Sequence, residues 1–168
     1  TREGGISRYV ASQDMFQPVA SEDVKDTRVL FEDSSHRLWV GTGRDGLYLL
    51  DKEHGRLIQK IPPLQFNHPF QVRRIVEWQP GRLLLASDEG LTMYDVATEK
   101  VDVIKADSRH PEGLNDNYLH ELFIDRENAL WIGTYFGGVN YVSSVQDNFL
   151  HYHKDNCQLD ARIVSVFA

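Results

Sequence analysis

Residues 130–142 read LWIGTYFGGVNYV, and residues 38–50 read LWVGTGRDGLYLL. Working outward from these two phrases, three segments align: 29–61, 74–104 and 122–152. Thr42, Ser87 and Thr134 share one column, 45 and 47 residues apart, and Thr1 falls in the same column 41 residues before Thr42. Each unit opens with a short apolar run (Val29 to Phe31; Ile75 and Val76; Leu122 to Ile124) and a polar turn. LW[VI]GT follows, or its degenerate form LLLAS, then a glycine turn (GRDG, DEG, YFGG). An alternating run (LYLLD, LTMYD, VNYVS), a third turn and a last run (RLIQKI, VDVI, FLHY) complete the unit. Strand-length runs rich in Val, Ile, Leu, Tyr and Trp, spaced by turn residues, predict an antiparallel meander with no helical period.

Four short strands per repeat of about 45 residues is the pattern of a β-propeller blade. One four-stranded sheet cannot bury both faces alone, whereas stacked blades bury them against each other. The expected fold is all-β: a partial propeller of about three full four-stranded blades with incomplete blades at both ends. The expected divisions are 1–24 (end of one blade), 25–66, 67–113 and 114–156 (full blades), and 157–168 (first strand of another). Trp39 and Trp131 are expected as wedges between blades, followed by close-packed Gly41 and Gly133, with Gly46, Gly90 and Gly138 at positive φ in turns.

Composition limits the function. The 168 residues are 41% hydrophobic and 26% charged, a globular composition. No apolar run approaches the ~18 residues of a membrane helix. Net charge is −7, from 18 basic and 25 acidic residues, with only Arg73 and Arg74 adjacent among the basic ones. A nucleic-acid partner is not expected. Cys157 is the sole cysteine, which excludes an internal disulfide and a thiolate metal site.

The pattern D-x-x-x-x-LW[VI]GT-x-x-x-GL-x-x-[YL], matched by FEDSSHRLWVGTGRDGLYLLD and FIDRENALWIGTYFGGVNYV, resembles the two-component regulator propeller repeat. GLNDNYL is similar to the segment that often precedes an inner strand in that family. The second unit departs, with Leu84 for Trp and Ala86–Ser87 for Gly-Thr. The resemblance implies the periplasmic sensor region of Bacteroidetes hybrid two-component systems. There, two propellers of about seven blades precede a sandwich, a membrane helix and a histidine kinase. It further implies a carbohydrate signal passed to a cytoplasmic phosphorelay, and a segment that is itself non-catalytic. A protein–protein interaction scaffold is the alternative. A seven-bladed ring needs roughly 315 residues at this repeat length, so the chain is expected to be a piece of such a sensor. Its open faces either reflect excision, or its terminal strands close a composite blade with each other or with a second copy.

Ligands of propellers commonly meet the loops between the second and third strands and between blades. The candidates there are Arg44, Asp45, Asp88, Glu89, Tyr135 and Phe136, joined by Asn117 and Tyr118 and by Asn67, His68 and Asn115. Aromatic rings beside amides and charges suit an oligosaccharide, rings stacking on its apolar face and polar groups bonding its hydroxyls; packing between blades is the plainer reading of Tyr135 and Phe136. His151 and His153 share a strand face without a third ligand, and exposed outer-strand positions suit them better than a metal. Asn115–Asp116–Asn117 lacks the ligand run of a calcium loop and reads as a turn. Asp33 and Asp125 are expected to cap tight turns. No cofactor, catalytic triad or carboxylate pair is indicated. An Asp-box order is absent from SSHRLW and RENALW, and the Gly137–Gly138 doublet has the wrong aromatic spacing for kelch.

Overall fold

In the computed structural model, residues 5–19, 26–62, 68–143 and 149–152 are described. Their strands are β1 (Ser7–Val10), β2 (Met15–Pro18), β3 (Thr27–Glu32), β4 (Leu38–Thr42), β5 (Leu47–Asp51), β6 (Arg56–Ile61), β7 (Val72–Gln79), β8 (Arg82–Ser87), β9 (Leu91–Asp95), β10 (Lys100–Ile104), β11 (Leu119–Ile124), β12 (Leu130–Thr134), β13 (Val139–Val142) and β14 (Phe149–Tyr152). They form a β1–β2 hairpin and three four-stranded sheets, β3–β6, β7–β10 and β11–β14, each strand beside its sequence neighbour. Among the described residues no helix is long and apolar enough to cross a membrane. Cys157, Asn67, His153 and the strand expected in 161–168 lie outside the described residues.

The chain divides into two compact units, residues 1–72 and 73–168. In the first, Ile6 and Val19 near the hairpin pack on Val40, Leu50, Leu38 and Tyr48 of the β3–β6 sheet. In the second, Leu84, Ala86 and Leu91 of one sheet pack on Leu122, Leu130 and Ile132 of the other. This face-to-face burial is what the alternating pattern demands, because each strand turns one row of side chains to a neighbouring sheet.

The repeat phrase has a physical reason at each position. Asp33 accepts four hydrogen bonds: from the Ser35 and Arg37 amides (3.0 and 2.9 Å), the Arg37 Nε (2.7 Å) and the Trp39 indole N–H (2.7 Å). Asp125 repeats this with the Glu127 and Ala129 amides (2.9 and 3.0 Å) and the Trp131 indole (2.8 Å). The expected turn caps are thus also the anchors of the tryptophans. In the second sheet Leu84 needs no acceptor, and Trp78 occupies the column of the aspartates. Glu77 there accepts the Gly81 amide at 2.8 Å.

The threonine that ends LW[VI]GT closes the next turn. The hydroxyl of Thr42 donates to the Gly46 carbonyl (3.0 Å) and accepts the Asp45 amide (2.8 Å). Thr134 does the same with Gly138 and Gly137 (both 2.9 Å), and Ser87 with Gly90 and Glu89 (2.8 and 3.1 Å). The close-packed glycine is real at Gly41, where a Cβ would lie 2.6 Å from Val29 and 2.7 Å from Val72. At Gly133 the nearest atom would be 3.4 Å away, ordinary contact, so the expectation of tight packing fails there. The first strand of each sheet is longer than its apolar run predicts. Register shifts between Thr27 and Val29 and between Leu119 and Glu121 mark bulges at Arg28 and His120, which break the alternation that would reveal the strand.

Candidate functional site

The turn between β12 and β13 carries Tyr135 and Phe136, and the segment before β11 carries Tyr118. All three rings are exposed, at 48, 66 and 52%. They form one cluster: Tyr135 and Phe136 meet edge-on at 4.7 Å between centroids, Tyr118 and Phe136 at 6.5 Å. Exposure of three adjacent large rings needs an explanation that core packing does not supply.

The backbone beneath the rings is tied down. The Tyr135 amide donates to the Tyr118 carbonyl at 2.9 Å, extending the β11–β12 ladder past its last strand residues. The Asp116 carboxylate accepts the Phe136 amide on one oxygen (3.0 Å) and the Tyr118 amide on the other (3.1 Å). Asn115 donates to the Gly137 carbonyl (2.6 Å) and exchanges two bonds with fully buried Asn140 of β13 (2.9 and 3.1 Å). A Cβ on Gly137 would come within 2.5 Å of the Asn115 amide oxygen, which accounts for the first glycine of the doublet. From β14 the His151 Nε2 donates to the Gly113 carbonyl at 2.6 Å. His151 is therefore half-buried and bonded, not the exposed outer-strand histidine the sequence suggested. Among the described residues no group of three His, Cys, Asp or Glu side chains could hold a metal ion, and Asn115–Asp116–Asn117 works as the turn expected of it.

The other candidates take these places. The Asn117 side-chain oxygen accepts the Ala106 amide at 2.7 Å, holding the segment after β10. Next to Ala106, Lys105 forms an ion pair with Glu89. A bonded path therefore runs from the β8–β9 turn, with half-buried Asp88 and Glu89, to the ring cluster. Arg44 and Asp45 lie in the other unit, in the β4–β5 turn. That turn is pinned by Phe70, whose amide donates to the Arg44 carbonyl (3.0 Å) and whose carbonyl accepts the Gly46 amide (3.1 Å). Burial, reinforced by the Asp45 carboxylate, raises the Tyr48 hydroxyl above its ordinary pKa. His68 stands just before Phe70 with its Nδ1 2.8 Å from the Pro69 carbonyl. Sequence reading missed the roles of Asp116 and Asn140. An aspartate two residues before an aromatic is a signal for the first; nothing local signals the second, since its partner is 25 residues away.

Repeated four-stranded meanders, two of them packed face to face through one apolar core, make the chain an all-β partial propeller. Residues 113–136, which hold the whole ring cluster, match the two component regulator propeller family. The chain is similar in structure to the extracellular domain of BT3049 from B. thetaiotaomicron, described as a hybrid two component system. That likeness has a TM-score of 0.70 at 21% identity, over 86% of this chain and 19% of that one. The extracellular domain of BT4673 from the same organism, described in one structure as a hybrid two component system, matches with a TM-score of 0.69 at 27% identity, over 83% of this chain and 19% of that one. A second BT4673 structure, described as a one component system, gives 0.67 at 25% identity, over 90% and 19%. The chain thus spans 19% of the length of these domains. No curated protein matches it.

Proposed function

We propose that this chain is part of the extracytoplasmic, periplasmic sensing propeller of a hybrid two-component system, and that it contributes the ring cluster at Tyr118, Tyr135 and Phe136 to an oligosaccharide site. The carrying observation is that three exposed rings stand on a backbone locked by Asp116, Asn115 and Asn140, inside the residues that match the family. Rigid, exposed rings lose little entropy on binding and offer flat apolar faces to a sugar ring. Asp88 and Glu89 on the β8–β9 turn, and Asn117 beside Tyr118, all in the same unit as the rings, supply polar groups for hydroxyls. The reading is of binding rather than catalysis: both Asp116 oxygens already accept backbone amides. Sensing then requires that the ligand favour one state of the parent over another, because only differential affinity shifts such an equilibrium and drives a kinase and phosphorelay.

The test is calorimetric titration of the complete extracellular region with a panel of oligosaccharides. One ligand should bind, and Y135A/F136A should weaken it at least tenfold, about 1.4 kcal/mol. Absence of binding by every oligosaccharide, or binding unmoved by that double variant, would sink the proposal. An interaction scaffold is the second reading. It is favoured by the exposed Tyr9, Met15 and Phe16 of the β1–β2 hairpin, with Tyr9 and Phe16 rings 5.3 Å apart. Tight capture of a protein without any sugar would support it. Self-association through such apolar surface is part of the same reading.

A further inference from the structure

The degenerate second repeat opens a cavity. Leu84 stands where the other units have Trp39 and Trp131, on the side of its sheet that packs against Leu130 and Ile132. An isobutyl group in an indole's place leaves this interface short of side-chain volume. The structure has a cavity of about 790 Å³ there, within the second unit. Leu84, Leu91, Met93 and Ile104 line one wall, with Leu130 and Val142 opposite. Trp78, in the column of the turn aspartates, also lines it and packs on the same core.

We propose that this cavity is a second binding site, separate from the ring cluster, for a neutral small molecule with an apolar, ring-containing body and one polar end. Its volume falls in the range of sites that enclose such ligands, roughly 300–1,000 Å³. The floor is apolar and includes a methionine, which adapts its shape to different bodies. The rim carries both signs of charge already matched: Arg82 with Asp95 at 3.8 Å and Lys100 with Asp102 at 2.8 Å. A rim so compensated favours no net charge, while its hydrogen-bonding atoms suit a hydroxyl or amide. A fully hydroxylated sugar is the wrong occupant, since most of its groups would face leucine and methionine unbonded.

The test uses the chain itself and the neutral fluorescent probe N-phenyl-1-naphthylamine. Saturable binding is expected, with emission enhanced on entry to the apolar cavity. Leu84→Trp puts an indole into the cavity and should weaken the probe at least tenfold in the folded variant, at some cost in melting temperature because Trp78 stands where the other units have the aspartate that accepts the indole N–H. Met93→Phe fills the same space from the neighbouring strand and serves if Leu84→Trp does not fold. Phe136→Ala should leave the probe affinity unchanged, which keeps this outcome independent of the saccharide reading. Absence of saturable binding overturns the proposal. So does equal affinity in the wild type and a folded Leu84→Trp or Met93→Phe variant, or loss of binding on Phe136→Ala.

Discussion

At the scale of single residues, the repeat is written in hydrogen bonds that a tryptophan wedge requires. An indole N–H buried without an acceptor loses its bond to water and gains nothing, so each wedge is paired with an aspartate six residues earlier. Trp39 is fully buried with its N–H on Asp33, and Arg37 also lies over its ring at 5.8 Å. Asp33→Ala should therefore destabilise the fold by about 2–3 kcal/mol, since it orphans a buried indole and a guanidinium together. Asp125→Ala should be milder, because Trp131 is only partly buried and water can replace the lost acceptor. Urea unfolding of the two variants checks the order, and equal destabilisation would show that indole burial is not what sets the cost.

At the scale of elements, the four-strand unit is legible because its turns are chemically explicit and bound short apolar runs of strand length. LWVGT, LYLLD and RLIQKI coincide with β4, β5 and β6. Two of the first strands, β3 and β11, outrun their apolar runs because Arg28 and His120 sit at bulges, where the two-residue period breaks. The ring cluster is half legible: aromatics in a turn announce themselves, while the hydrogen bonds between Asn115 and Asn140 join the segment before β11 to β13, which sequence spacing cannot relate. The two repeat glycines also differ in a way the shared phrase hides. Gly41→Ala drives a methyl onto Val29 and Val72, with overpacking costing about 1–3 kcal/mol. Gly133→Ala meets Glu121 at ordinary contact distance and should be neutral or slightly stabilising, through lower entropy of the unfolded chain. Thermal melts of both variants distinguish these cases, and a large loss at Gly133 would mean that the bulge beside it cannot absorb a methyl.

At the scale of the whole molecule, an acidic chain holds many of its turns with carboxylates, and this sets its response to pH. Among the described residues, five aspartates ionise more readily than the ordinary value of 3.8. Burial opposes ionisation of Asp33, but the Trp39 indole and the Arg37 amide and guanidinium outweigh it. Asp125 is held down first by the Trp131 indole and then by the Ala129 amide. Asp51 is lowered chiefly by the His54 amide, Asp95 by the Thr98 amide and hydroxyl, and Asp107 by the Arg109 guanidinium. The sign follows from linkage. Each group is more acidic folded than unfolded, so it adds stability that is fully present above 3.8 and is lost as pH falls through the lower folded values. These groups lie in both units, so neither unit escapes the effect. The melting temperature should be nearly flat from pH 7 to about 5 and fall steeply below about 3.8. Asp33→Asn and Asp125→Asn together remove two of the titrating groups and keep a side-chain oxygen to accept the indole. The double variant should start less stable and lose less on acidification. Melting curves from pH 7 to 3 in constant salt measure both slopes; a variant slope as steep as that of the wild type would show that the indole-bound aspartates do not carry the acid sensitivity.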